Sequence, residues 1–192
     1  DYALLSKLVA YVFSTSGNLL SVQNLVNYLK SNGEKTTFQT IDNYLYALQQ
    51  ALILLRATQA GLQGKKLLRP LQKFYVVDTG LRNLSIRFAL RDVGYQLESI
   101  VYVELLRRGF SVSVGSLNSS EIDFVASRND ETLYIQVCEN MGDDSVLERE
   151  LAPLRNVHDG FPKVILTLDR LHIGVTSDGI KVKSLIEWLL EV

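Results

Sequence analysis

At 192 residues, 47% of them hydrophobic, the chain is long enough to bury one large core or two small ones, and a soluble globular protein is the default. A single cysteine, Cys138, excludes an intramolecular disulfide and a cysteine-rich zinc site and fits a reducing cytoplasm, while no apolar run reaches bilayer length and no charged-then-apolar signal opens the chain, so no membrane partner is expected. The net charge of −1 conceals a split: residues 1–77 carry eight Lys/Arg against three Asp/Glu and the remainder twelve against eighteen, which marks the basic front as the candidate for nucleic acid.

Leu4, Leu5, Leu8, Val9 and Val12 keep helical spacing and predict an amphipathic helix over residues 3–13. Ser21 is placed to cap a second helix, with Val22, Leu25, Val26 and Leu29 on its buried face and Asn32-Gly33 closing it. Thr37 is placed to cap a third, whose stripe is Phe38, Ile41, Leu45 and Leu48. Two apolar runs, residues 52–57 and 67–77, then flank a basic, glycine-containing turn, the pattern of a hairpin.

Three helices followed by a basic hairpin is the order of a winged helix-turn-helix, in which the third helix enters the major groove and the hairpin touches phosphate. On that reading, duplex DNA is contacted by Gln39, Asn43 and Tyr46 on the exposed face of the third helix and by Lys65, Lys66 and Arg69 in the hairpin. The third helix offers no cation there and carries Asp42, and phosphate neutralisation supplies most non-specific affinity, so weak binding by this unit alone is expected. Docking of a protein on the same unit is the competing use.

Residues 78–89 connect this unit, residues 1–77, to a second one over residues 90–192. The second opens with a helix over about 92–108, with Leu97, Ile100, Val101 and Leu105 buried and Gly109 as the C′ glycine after Arg107 and Arg108. Strands are expected at 110–114, 121–127 and 132–138, then a helix carrying Leu147, Leu151 and Leu154, a strand over 163–168, a hairpin turning at Ser177-Asp178-Gly179 and a last helix around Trp188. The order α-β-β-β-α-β predicts a mixed α/β sheet flanked by helices.

Alternation along a strand puts Glu121, Asp123 and Val125 on one face and Ile122, Phe124 and Ala126 on the other, and likewise sets Tyr134, Gln136 and Cys138 opposite Leu133, Ile135 and Val137. If the two strands are neighbours, Asp123 and Gln136 converge, and Glu98, one turn before Val101, points toward the sheet. This pattern resembles the restriction-endonuclease-like superfamily PD-(D/E)XK, in which a helix Glu, a strand Asp and an acid followed two residues later by Lys hold Mg²⁺ and activate water. The resemblance matches Glu98 to the helix acid, Asp123 to the strand Asp, Gln136 to the second acid and Cys138 to the lysine. An amide and a thiol replace neither an anionic ligand nor an ammonium, no lysine lies between Lys73 and Lys163, and parity turns Glu139 away. The site therefore reads as degenerate, with no catalytic residue assigned.

More narrowly, "GYQLESIVYVELLRRGF", "EIDFVA", "YIQVCEN", "ERELAPLRNVHDGFPKVILTLD" and "DGIKVKSLIEWLLE" resemble, in that order, the C-terminal domain of a large family of prokaryotic AAA-type ATPases. Those proteins place a P-loop ATPase domain before a winged helix and this nuclease-like domain. The resemblance implies that ATP and Mg²⁺ belong to an ATPase domain outside this chain, since no GxxxxGK[ST] occurs here. An opening Asp1 in place of Met agrees with a piece of something longer. The expected function is an accessory region that contacts DNA or a protein and works with its own ATPase domain. The alternatives are a Mg²⁺-dependent nuclease drawing on Glu98, Glu121 and Asp123, and a pure protein-interaction module. Cys138 reads as a small buried hydrophobe, and His158 and His172 stand without a triad or ligand cluster.

Overall fold

The structure, a computed structural model, describes residues 1–61, 71–86, 93–117 and 120–191. Helices α1 (Tyr2–Ser14), α2 (Val22–Ser31) and α3 (Phe38–Gln50) form where the spacing predicts, each opened by a side-chain cap. Asp1 accepts from the Ala3 and Leu4 amides, Ser21 from Asn24 and Thr37 from Thr40. Their apolar stripes meet in one cluster around Leu8, Phe13, Val26, Ile41 and Leu45. Phe38 departs from its expected place: it is 47% exposed in the first turn of α3, and Tyr44 packs on the cluster instead, because Ile41, Tyr44, Leu45 and Leu48 share one face.

A two-residue strand too short to show any alternation, β1 (Leu19–Leu20), pairs with β3 (Gln72–Val76), which also pairs antiparallel with β2 (Leu54–Gly61). Lys65, Lys66 and Arg69 lie outside the described residues. The connecting stretch carries a helix of its own, α4 (Thr79–Ile86). Asp78 Oδ1 accepts from the Gly80 and Leu81 amides, and the buried Arg82 donates from Nε to the Phe13 carbonyl, fastening α4 to the end of α1.

The remainder is α5 (Val93–Arg107), β4 (Ser111–Leu117), β5 (Ser120–Arg128), β6 (Glu131–Cys138), α6 (Asp144–Arg155), β7 (Lys163–Thr167), β8 (Gly174–Val175), β9 (Lys181–Ser184) and α7 (Leu185–Leu190). Strands β4, β5 and β6 are antiparallel neighbours, β6, β7 and β9 run parallel, and β8 is an antiparallel edge. The class is mixed α/β, as expected. Helices α5 and α7 cover one face through Leu105 and Trp188, against Phe124, Ile135 and Leu166. Helix α6 covers the other through Leu151 and Leu154, against Ile165 and Val182. Ile100, expected in the core, is 36% exposed, because it lies beside the Leu97–Val101–Leu105 line and Tyr102 fills the second buried row.

One pairing that no local pattern signals ties front to back. Strand β2 runs parallel to β4, Gln59 opposite Val114, so the sheet continues unbroken in the order β1-β3-β2-β4-β5-β6-β7-β9-β8. Ala57 and Tyr75 of the front hairpin consequently join the core under α5. Tyr75 stacks on Tyr102 at 4.7 Å, both rings meet Phe124, and the Tyr102 hydroxyl donates to the Arg56 carbonyl at 2.9 Å. No helix among the described residues is long and apolar enough to cross a membrane.

Candidate functional site

Strand β5 carries one residue more than β4 between two pairing points: Ser113 faces Val125, yet Gly115 faces Ile122. That extra residue is a bulge, and it breaks the expected alternation. Ile122 joins Val125 in the cluster under α6, while Phe124 and Ala126 stay under α5. Bulges re-aim side chains, and here Asp123, 8% exposed, folds its carboxylate back on β6. Its Oδ2 accepts from the Val137 amide at 2.8 Å, and its own amide donates to Gln136 Oε1 at 3.3 Å, so Asp123 and Gln136 do converge.

Gln136 then donates from Nε2 to Glu150 Oε2 at 3.1 Å, and the other oxygen of Glu150 accepts from Arg149 at 2.8 Å. Both halves of the amide are in use. A carboxylate at position 136 could accept from the Asp123 amide but could not donate to Glu150.

A cation reaches these acids from another part of the chain. Lys73, on β3, is 3% exposed, and its Nζ lies 2.5 Å from Glu121 Oε1 and 3.5 Å from Glu98 Oε2. Strand alternation explains the direction: Phe74 and Val76 enter the front cluster, Tyr75 enters the core under α5, and Lys73 shares the side of Tyr75. The Tyr75 hydroxyl also donates to Glu98 Oε2, at 3.2 Å. Gly17 lies against the same carboxylate, its amide donating to the Phe74 carbonyl at 3.0 Å. At φ +82° it adopts a conformation side chains resist, and a Cβ would stand 3.2 Å from Glu98 Oε2 and 3.1 Å from the Tyr95 ring.

Burial by itself drives Lys73 toward a neutral amine, but Glu98, Asp123 and Glu121 outweigh it and hold its pKa above the ordinary lysine value. The carboxyls feel the reverse. Burial, followed by the proximity of Glu98, places Asp123 well above the usual range despite Lys73 and the Val137 amide. Burial likewise raises Glu98 against the pull of Lys73 and Tyr75. Burial first, and then the crowding of carboxylates around one ammonium, makes Glu98 and Asp123 hold protons more tightly than free carboxyls do. The Cys138 thiol is pushed up to about 11 by burial, then by Glu150, and it donates to the Asn140 carbonyl at 3.1 Å, so it supplies neither thiolate nor ammonium.

A Mg²⁺ ion demands near-octahedral oxygen ligands at about 2.0–2.1 Å. The residues at hand do not fit one: Glu121 and Glu98 are directed at the Lys73 ammonium, Asp123 Oδ2 at the Val137 amide, and position 136 holds an amide. Among the described residues no group of three His, Cys, Asp or Glu side chains is arranged to hold a metal. What the cluster does is fasten β3 of the front unit to α5 and β5 of the back.

Gln39, Asn43 and Tyr46 sit together on the exposed side of α3, away from this cluster, with Gln39 donating to Asn43 at 2.8 Å. Glu139 is exposed. Lys73, Tyr75, Gly17 and Glu150 were not foreseen in the site. The one available signal was a lysine interrupting the apolar run "LQKFYVV", where a charge has to find partners.

No protein-family model matches the chain. An uncharacterized protein of Haemophilus influenzae is 34% identical over 191 residues, 100% of this chain and 47% of that protein. An uncharacterized protein of Methanocaldococcus jannaschii is 30% identical over 138 residues, 70% of this chain and 30% of that protein. The chain thus spans about half, or less, of the length of these curated relatives.

Proposed function

We propose that the chain is the accessory, partner-binding region of a cytoplasmic prokaryotic AAA-type ATPase: a winged helix-turn-helix joined to a PD-(D/E)XK-like domain that has given up cleavage. The observation that carries this reading is the buried Lys73 ammonium among Glu98, Glu121 and Asp123, which answers a nuclease-type acid cluster with a tethered cation from the neighbouring unit. A group used this way fixes two units in register and leaves no task for the missing lysine at Cys138. Relatives in a bacterium and an archaeon, each with more than half its length outside the match, support a prokaryotic protein with room for a further domain. ATP and its Mg²⁺ belong to that further domain.

Duplex DNA is the partner the front unit suits, through Gln39, Asn43 and Tyr46, which share the exposed face of α3. The test is fluorescence anisotropy of a labelled duplex titrated with the chain from low to physiological salt. Weak binding with a steep salt dependence is expected, because phosphate contacts release counterions, and the triple variant Gln39→Ala/Asn43→Ala/Tyr46→Ala weakens it. Absence of binding at low salt, or binding indifferent to the triple variant, overturns the DNA contact.

A further inference from the structure

The sheet ends at β8 on an open edge: β8 pairs with β9, and no strand among the described residues pairs with its other side. The stretch that contains it, residues 171–177, reads "LHIGVTS" and holds no Lys, Arg, Asp, Glu or Pro, in a chain of which 21% is charged. Charged side chains and prolines are what usually keep an edge strand from pairing with another chain, so this edge lacks the ordinary defences. Its apolar side chains face solvent: Leu171 is 77%, Ile173 44% and Val175 68% exposed. The surface around Gly174 is open as well, since a Cβ there would meet no atom within 4 Å.

The ladder to β9 fixes which main-chain groups are on offer. The Thr176 amide donates to the Ile180 carbonyl at 2.9 Å, and Gly174 and Val175 stand opposite Val182 and Lys181 in the same register. Residues along a strand turn their N–H and C=O groups to alternate sides, so Gly174 and Thr176 face β9 while Ile173 and Val175 face the open edge. This arrangement is self-complementary. In an antiparallel pairing of two copies about a two-fold axis at Gly174, Ile173 of one copy lies opposite Val175 of the other, and each offers its opposite one N–H and one C=O. Being two residues apart, Ile173 and Val175 share a face, so four β-branched side chains meet on that face of the joined sheet. Charge agrees with this direction. Arg170 and Asp178 lie four residues before and after Gly174, so antiparallel pairing brings unlike charges to each end, where parallel pairing would bring like ones. Arg155 answers both Asp178 and Glu148, which leaves that end net negative.

We infer that two copies of the chain associate through β8, edge to edge and antiparallel, so that the sheet continues across the two-fold axis. The edge is short and supplies few ladder bonds, so the dimer is weak and forms only as concentration rises. It lies at the far end of the sheet from β1 and apart from α3, so the inference stands whether or not the front unit binds DNA. The test is sedimentation velocity of the full chain from micromolar to millimolar concentration, which is expected to show a monomer passing into a dimer and nothing larger. Val175→Lys enters the interface twice and is expected to weaken the dimer roughly ten-fold or more, as is Ile173→Lys. Leu84→Lys, at an apolar site 82% exposed on α4, is expected to leave it unchanged. Thermal unfolding like that of wild type at the lowest concentration shows that the lysines have not unfolded the chain. A monomer at every concentration, a dimer indifferent to both edge lysines, growth beyond a dimer, or equal loss with Leu84→Lys overturns the inference.

Discussion

The two ends of strands β6 and β7 treat charge in opposite ways. Near their carboxyl ends acids are buried, and the answering cation, Lys73, reaches in from another part of the chain. At their amino ends the partly exposed cations Arg128 and Lys183 stand in pairs with the exposed carboxylates Glu131 and Glu191. A buried pair is costly to break once formed, whereas an exposed pair contributes little and leaves its members free for a ligand. The same residue types thus make a joint at one end and a loose, solvent-exposed rim at the other.

Breaking the joint is the severest test of that contrast. Lys73→Met leaves Glu98 and Asp123 buried without their counterion, and denaturant unfolding is expected to show a loss of about 3–5 kcal/mol. A loss below 1 kcal/mol would reduce the cluster to the standing of a surface pair. Gln136→Glu restores the acid the nuclease-like pattern asks for. It also sets a carboxylate against Glu150, so the expected result is about 1–3 kcal/mol of destabilisation with no plasmid nicking. Nicking by this variant would show that the site is one substitution from activity.

The pH dependence sharpens the comparison further. Lys73 has its folded pKa above the ordinary 10.5, so its contribution is intact below that value and is lost as pH rises through the folded one. Asp123 has its folded pKa well above the ordinary 3.8, so the fold gains stability as pH falls from the folded value toward 3.8. Urea midpoints measured across pH should show both trends, with Lys73→Met reducing the alkaline loss, to which the raised Tyr75, Tyr102 and Cys138 also contribute, and Asp123→Asn reducing the acid-side gain, which Glu98 shares. At the other end of the strands, Lys181→Glu should leave the unfolding free energy within about 0.5 kcal/mol of wild type, as surface substitutions do. A larger loss would mean that the rim is structural too.

Much of the local architecture was legible. The caps Ser21 and Thr37, the helical stripes and the α-β-β-β-α-β order all follow from short-range rules, and the meeting of Asp123 with Gln136 follows once β5 and β6 are neighbours. Three things were not legible, each for a physical reason. The parallel contact of β2 with β4 is a tertiary pairing between strands far apart in sequence. The β5 bulge depends on register, which alternation presupposes and does not reveal. Lys73 lies well before Glu98, Glu121 and Asp123 in the chain, so a motif read along the back half finds Cys138 and judges the cation missing, while the fold supplies one across the sheet.

The most direct measurement of the central claim, that Lys73 holds the place of a cation among these carboxylates, is a calorimetric titration of Mn²⁺ into the wild-type chain and Asp123→Ala. Plasmid nicking is followed on the same samples. The account predicts no saturable heat and no nicking for either protein. Saturable binding by the wild type that Asp123→Ala abolishes, accompanied by nicking, would contradict it and make Lys73 part of a working metal-dependent nuclease.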